Sequence, residues 1–336
     1  MHLVVFGLID NIRGLGWSGA VYLLEHGLVL GSLYALIALG YTMVYGILKL
    51  LNFAHGDVYM VGAFLGYGVL TAFGGALNLS IGLVPLILLM FAAGMGGSGV
   101  LGVAVERFAY RPLRNAPRIA PLISALGVAI FLESSAQLLT DGHQYDYNPY
   151  QLGGKNFQSG PLVKPVFTLF PNANSPTSVS VVDLLIVTSS IALMAGLVLL
   201  VNRTRFGKAM RATAYDREAA SMMGIDTDRV ISRTFFIASM LAGAAGVMTG
   251  LKFGSTFYLM GFVAGLKAFT AAVVGGIGSI PGAVVGGLLI GLVESFAGGY
   301  VPNGGQWSDL VVFGVLVLFM LVRPTGLLGS HAIQKV

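Results

Sequence analysis

Residues 58–105 read VYMVGAFLGYGVLTAFGGALNLSIGLVPLILLMFAAGMGGSGVLGVAV, a run without one Asp, Glu, Lys or Arg. A helix that crosses a bilayer needs about 20 apolar residues, so this stretch holds two crossings and the turn between them. The same reading extends outward to the charge-free runs 26–48, 184–202, 234–251 and 268–293. Over all 336 residues, 56% are hydrophobic and 10% charged, whereas an ordinary globular chain carries about 25% charged residues. Mean hydropathy is +0.83. Transmembrane strands would alternate over segments of about ten residues, a pattern absent here. The expected fold is an all-α polytopic transmembrane bundle.

This composition excludes a soluble enzyme, a secreted disulfide scaffold and a nucleic-acid binder. The net charge of +5 is read as cytoplasmic-loop charge. Cysteine is absent, which removes disulfides, thiolate metal sites and a cysteine nucleophile; no metal or cofactor is expected. Residues 3–9 are apolar but short, with Asp10 and Arg13 close behind, so no cleavable signal peptide is expected. Glycine is abundant, 48 residues, and falls inside the apolar runs at four-residue spacings: Gly27/Gly31, Gly62/Gly66, Gly246/Gly250/Gly254, Gly282/Gly286 and Gly287/Gly291. Such spacing lets membrane helices pack backbone to backbone.

Helices are expected at about 28–48, 57–79, 82–105, 119–139, 183–201, 232–250, 283–299 and 308–322, with a further segment at 256–275. Of the 19 Lys and Arg residues, 13 fall in 106–118, 202–233 and the C-terminal tail, which marks those segments as cytoplasmic. The 140–182 connection, with HQYDYNPY and few basic residues, is expected to face outward as a periplasmic loop. Parity puts the N-terminus outside and makes 256–275 either cross or enter and return. The expectation is about eight spans, eight or nine, with broken or re-entrant segments, forming a single integral membrane domain over 1–336. No Gly-x-x-x-x-Gly-Lys-Ser/Thr occurs, so the chain has no P-loop of its own for ATP hydrolysis.

The basic segment within 203–233, RTRFGKAMRATAYDREAASMMGIDTDRV, mixes charge with apolar positions at helical spacing, among them Tyr215, Ala219 and Met222. Gly224 can close such a helix as its C′ residue. A short helix of this kind on the cytoplasmic surface either rests on lipid headgroups or seats in a groove of a partner protein.

Glu218-Ala219-Ala220, followed after three residues by Gly224, resembles the core by which ABC importer permeases form a cytoplasmic coupling helix. The stretches GSLYALIALGYTMVYGILKLLNFAHGDVYMVGAF (31–64), ERFAYRPLR (106–114), KAFTAAVVGGIGSIPGAVVGGLLIGLVE (267–294) and RPTGLLG (323–329) are similar to the permease subunits of branched-chain amino acid ABC importers, the LivH/LivM family, and most of all to its LivH branch. The resemblance covers nearly the whole chain. It implies that Gly207, Arg211, Asp216, Glu218, Ala219, Ala220 and Gly224 belong to the ATPase-coupling surface. The downstream Ile-x-Leu-Pro of many importers is missing; Thr234-Phe235-Phe236 stands near its place.

Two interruptions of the apolar runs are candidate pathway segments. The first is Asn52-Phe53-Ala54-His55-Gly56-Asp57. Broken helices at membrane depth are tolerated where they are buried in protein or line a cavity, and their ends attract the charged groups of a substrate. The alternative is a cytoplasmic turn with Asn52 or Asp57 capping the next helix. The second is Gly275-Gly276-Ile277-Gly278-Ser279-Ile280-Pro281-Gly282, for which a plain tight turn is the alternative. Glu133, Lys252, Lys267 and Glu294 are the ionisable residues within apolar sequence. Lys267 and Glu294 flank the second break and either pair with one another or line the pathway. Candidate pathway residues are therefore Asn52, Phe53, His55, Gly56, Lys267, Gly275, Gly276, Gly278 and Glu294.

The resemblance implies a subunit of a bacterial inner-membrane importer for leucine, isoleucine or valine. Its partners would be a second homologous (LivM-like) permease, two cytoplasmic P-loop ATPases and a periplasmic substrate-binding protein, with the bilayer around the bundle and no nucleic acid. Two alternatives remain at this stage, a urea or short-amide ABC permease and an ion-coupled secondary transporter working alone. An intramembrane enzyme is disfavoured, because the histidines at 2, 26, 55, 143 and 331 form no His-x-x-x-His or His-Glu pairing.

Overall fold

The computed structural model describes residues 2–73, 83–114, 116–117, 119–147, 151–152, 155–156, 165–169, 177–301 and 304–329. The chain begins with α1 (His2–Leu48), kinked at Gly16, whose φ of 56° is open to glycine. It continues through α2 (His55–Thr71) and α3 (Leu83–Val105), which runs on into a π turn over Glu106–Tyr110 and a 3₁₀ turn over Arg111–Leu113. After α4 (Ile119–Leu139) comes the long connection with β1 (Tyr145–Asp146), β2 (Gln151–Leu152), β3 (Lys155–Asn156), β4 (Pro165–Leu169) and β5 (Thr177–Ser180). Then follow α5 (Val181–Arg203), α6 (Arg205–Tyr215), α7 (Arg217–Met222), α8 (Thr227–Phe253), β6 (Ser255–Thr256), α9 (Met260–Gly275), α10 (Ile280–Tyr300) and α11 (Gly304–Val322).

Seven helical stretches among the described residues are long and apolar enough to cross a membrane: Gly16–Leu48, Val84–Leu113, Ile119–Leu139, Val181–Arg203, Thr227–Phe253, Ile280–Tyr300 and Gly304–Val322. The chain thus folds as an all-α polytopic membrane bundle. Helices α2 and α9, with 17 and 16 residues, are shorter. Burial sorts the spans by position: 94% of the α1 span and 78% of the α8 span are buried, against 17% for α4 and 11% for α11. Helices α1 and α8 therefore form the centre.

Lipid tails are as apolar as leucine, so close contact rather than the hydrophobic effect holds membrane helices together. The glycine spacings serve this purpose. Along the α1–α10 seam, a Cβ at Gly27 would stand 2.9 Å from the Leu292 Cα, and one at Gly31 would stand 2.7 Å from the Leu288 Cα. Gly287 and Gly291 press back on Ala35 and Gly31.

Two tertiary pairings order the ends of the short helix α9. Strand β6, just before it, pairs with β1 of the long connection, Tyr145 opposite Thr256. At its other end the tail folds back, Leu327 N–H donating to Val274 O at 2.8 Å and Leu328 N–H to Gly275 O at 2.9 Å.

The structure departs from the sequence reading in several places. Helix α1 starts far upstream of residue 28, because Ala20, Val21, Leu23 and Leu24 continue it ahead of Glu25 and His26. The expected 57–79 helix is α2, ending at Thr71; residues 74–79 lie outside the described residues, as does much of 140–182. That connection forms two-stranded pairs where it is described, β1 with β6, β2 with β3 and β4 with β5. The basic segment is two helices and not one. Asp216, extended at φ −151° and ψ 112°, closes α6 and restarts the chain as N-cap of α7, its carboxylate accepting the Ala219 N–H. Tyr215 and Ala219 consequently share no continuous face.

Candidate functional site

Helices α1, α2, α8, α9 and α10 border a half-open cavity of about 270 Å³ with mostly apolar walls, among them Leu30, Leu33, Ile37 and Met260, and with His26, Tyr34, Thr249 and Glu294 among its polar groups. Glu294 is tied in place twice. Lys267 Nζ donates to its Oε1 at 2.7 Å and Tyr34 OH to its Oε2 at 2.8 Å. Lys267, itself buried, also pairs with Asp309 at 2.7 Å. One ammonium thus serves two carboxylates, and the cluster retains a formal negative charge beside the cavity. The expected proximity of Lys267 and Glu294 is realised; Tyr34 and Asp309 were not legible, because their partners lie in other helices.

The interruption at 52–57 lies deep in the bundle. His55 is fully buried, edge-on to Tyr41 with ring centroids 4.9 Å apart, and packs against Gly40 where α1 meets the Ala238 carbonyl of α8. Ala238 is six residues beyond Ser232, about 9 Å along a helix, and Ser232 already sits inside the ion cluster described below. Helix α2 therefore starts inside the bundle, beyond that cluster. Its N-cap is Ala54, without a side-chain cap bond, so neither Asn52 nor Asp57 caps it. Asn52 Oδ1 and Asp57 Oδ1 are buried without hydrogen-bond partners among the described residues. Gly56 is pressed between two glycines of α9, a Cβ there standing 2.9 Å from the Gly265 Cα. Phe53 faces Phe269 at 6.0 Å and lines a cleft with Tyr41 and Asp57.

The second interruption is elsewhere. Gly276 and Gly278 take φ of 108° and 94°, Ser279 caps α10 by accepting the Gly282 N–H at 3.2 Å, and Pro281 occupies its first turn. Gly275 abuts Gly282, and Gly276 lies beneath the tail at Gly326 and Gly329. Gly278 and Pro281 border another cavity, of about 450 Å³, together with Thr42, Gly46, Lys49 and Arg211. Thirteen positions at 3.6 per turn carry Gly46 to the side of α1 opposite Leu33. The structure therefore brings 52–57, Lys267 and Glu294 to one side of α1 and Gly275, Gly276 and Gly278 to the other.

At the end of the bundle that carries the basic segments, α6 and α7 lie across the helix ends. Thr204 caps α6 by accepting the Gly207 N–H at 3.0 Å; Gly207 abuts the Val201 carbonyl, to which Arg211 donates. Helix α7 ends in a Schellman motif. Ile225 N–H donates to Ala220 O at 3.1 Å and Gly224 N–H to Ser221 O at 3.0 Å, with Gly224 at φ 82°, as its position in the motif requires. Ala220 is buried, Glu218 and Ala219 are exposed, and Tyr215, Met222 and Met223 are almost fully exposed. An ion cluster anchors this layer. Asp228 at the start of α8 accepts from Arg217 of α7 at 3.2 Å, from Arg111 at 2.7 Å and from Arg114 at 2.5 Å. Arg114 also pairs with the buried Glu106, whose other oxygen accepts from Ser232 at 2.5 Å. Sequence reading missed this cluster, although Glu106 and Arg114 stand at the two ends of ERFAYRPLR. It likewise missed the pairing of Lys252 with Asp183.

The fold is that of a polytopic membrane bundle, with a buried interruption between α1 and α2 and an ion-paired cluster bordering a cavity. The profile of the family described as "Branched-chain amino acid transport system / permease component" matches residues 23–320. The high-affinity branched-chain amino acid transport system permease protein BraD of Pseudomonas aeruginosa is 42% identical over 314 residues, covering 93% of this chain and 97% of that protein. The corresponding LivH of Escherichia coli K12 is 41% identical over 315 residues, 93% and 96% of the two chains. The probable branched-chain amino acid transport permease protein LivH of Methanocaldococcus jannaschii is 28% identical over 321 residues, 95% and 93% of the two chains. No solved structure matches the chain. The chain belongs to the branched-chain amino acid transport permease family. Its role is transport and not catalysis, and its place is the bacterial inner membrane as a multi-pass protein.

Proposed function

We propose that this chain is one permease subunit of an ATP-binding-cassette importer that carries leucine, isoleucine or valine inward, driven by separate ATPases. The observation that carries the reading is the match to BraD and LivH at 42% and 41% identity over nearly both full lengths. The chain works with a second homologous permease, two cytoplasmic P-loop ATPases and a periplasmic binding protein. The whole of 1–336 is one membrane domain, with 140–182 periplasmic and 203–233 cytoplasmic. Nine crossings satisfy the charge distribution when α2 and α9 cross as short helices. The β1–β6 pairing at one end of α9 and the tail pairing at its other end support that count.

In this reading α6 and α7 form the coupling element. Glu218, Ala219 and the exposed Met222 and Met223 face the ATPase; Gly207, Arg211, Asp216, Ala220 and Gly224 hold the element in shape. Substrate passes from the Glu294 cavity toward the 52–57 segment. An aliphatic side chain suits the apolar walls, and the negative cluster of Glu294, Lys267 and Asp309 suits an ammonium group. Asn52, Phe53, His55 and Gly56 form the constriction below it. Gly275, Gly276 and Gly278 form the turn on the other side of α1 that moves with the tail. Tagging the chain in its host, purifying it in mild detergent and identifying co-purifying proteins by mass spectrometry tests this reading. P-loop ATPases and a second permease are expected. Recovery of the chain alone, competent for gradient-driven uptake after reconstitution, overturns it. Substitutions of Asn52 or His55 that change neither uptake nor substrate preference overturn the assignment of the constriction.

A further inference from the structure

The cavity of about 450 Å³ beside Gly46 holds no step of the proposed substrate route. It lies where α1, α5, α6 and α10 meet. Its walls are largely apolar, Met43 and Val201 among them, and its polar groups are Thr42, Lys49, Asn202, Arg211 and Ser279. No Asp or Glu is among the residues that line it. Thr42 is 1% exposed, and its Oγ1 has no hydrogen-bond partner among the described residues, although a buried hydroxyl is ordinarily satisfied. Lys49 and Arg211 take part in none of the ion pairs among the described residues. The Lys49 Nζ stands 5.9 Å from the Tyr45 ring. Its backbone is left-handed, φ 55°, just past the end of α1, where helices commonly close on glycine. A lysine held there carries strain that glycine avoids. Arg211 gives one N–H to the Val201 carbonyl and keeps the rest of its five donors. The apolar spans Gly16–Leu48 and Val181–Arg203 both end beside this cavity.

We infer that this cavity binds the phosphate of an anionic phospholipid. Lys49 and Arg211 pair with its charge, Thr42 and Ser279 donate their hydroxyls, and the apolar walls receive the first acyl carbons. Apolar walls beside two cations suit an amphiphile better than a free anion, and basic groups at the ends of spans attract anionic headgroups. The site goes beyond the importer reading and does not depend on it. The test is native mass spectrometry of the purified full chain in mild detergent, titrated separately with dioleoylphosphatidylglycerol, dioleoylphosphatidylcholine and inorganic phosphate. Phosphatidylglycerol is expected to bind more tightly than phosphatidylcholine. Lys49→Gly and Arg211→Gln are each expected to weaken it about fivefold, the worth of one basic group near an anionic headgroup. Thr42→Val should weaken it as well, and Arg107→Gln, an exposed position outside the cavity, should leave it unchanged. Because Lys49→Gly also relieves the left-handed strain, its melting temperature without added lipid is expected to hold or rise, so that misfolding does not account for its weaker binding. Equal affinity for the two lipids overturns the inference, as does equal affinity of the wild type, Lys49→Gly and Arg211→Gln. A loss in Arg107→Gln as large as theirs shows diffuse surface charge and overturns it too. Inorganic phosphate that binds as tightly as phosphatidylglycerol and displaces it overturns the lipid as occupant in favour of a soluble anion.

Discussion

At the residue scale, single atoms decide what the bundle tolerates. Gly56 has no space for a side chain, since a Cβ would stand 2.9 Å from the Gly265 Cα. Gly56→Val is expected to lower the melting temperature of the purified protein, the cost being the roughly 1–3 kcal/mol of an overpacked core. An unchanged melting curve would show that α2 and α9 do not meet there. The Lys267–Glu294 pair is nearly buried, side chains 8% and 14% exposed. Removing one member of such a pair strands the other, at about 3–5 kcal/mol. Lys267→Met is therefore expected to destabilise strongly and Lys267→Met with Glu294→Gln less, in a thermal-unfolding double-mutant cycle. Additive losses would show that the two side chains do not interact.

At the scale of elements, the link between α7 and the bundle is ionic and solvent-facing. Arg217 and Asp228 are 43% and 38% exposed, and exposed pairs contribute about 0–1 kcal/mol. Asp228→Asn should therefore lower melting only slightly, because the nearly buried Arg114 keeps Glu106 as its partner, while freeing α7 from the turns at Arg111 and Arg114. In the reconstituted importer it is expected to raise ATP hydrolysed per substrate transported, and an unaltered ratio would mean that the cluster transmits nothing. Gly224→Arg and Glu218→Lys should stop uptake without removing the protein from the membrane. Nothing lies within 4 Å of a Cβ at Gly224, so the substitution forces a left-handed residue, costing about 1–2 kcal/mol, without a clash. Normal uptake by both variants would dismiss α7 as the coupling element.

At the scale of the whole molecule, the cavities lie on different sides of the central helix α1, the Glu294 cavity touching Leu33 and the other touching Gly46. A substrate cannot run straight down one face of this subunit. In the proposed importer, movement of the helices around His55 opens the way, driven by the partner subunits. Proteoliposomes holding the chain alone are accordingly expected to show no leucine uptake under an ion gradient, and uptake should return with the ATPases, the second permease and the binding protein. Uptake by the chain alone would restore the secondary-transporter alternative.

The sequence by itself determined the solvent in which this chain folds and the positions of most spans, because each depends only on local apolar length and charge. It also determined the glycine contacts in kind, since four-residue spacing fixes a stripe on a helix whatever the partner. The break at 52–57 was visible as polar residues between apolar runs, and Gly224 as the close of a short helix. Tertiary structure alone decided the rest. Whether 52–57 is a surface turn or a buried segment depends on how far α2 sinks between α8 and α9, a depth set by the glycines it meets there. Joining Lys267 to Asp309 and Tyr34, or Arg217 to Asp228 and through it to Arg114, required helices distant in the chain to meet. Local sequence fixes which residues a helix presents; only packing fixes what they are presented to.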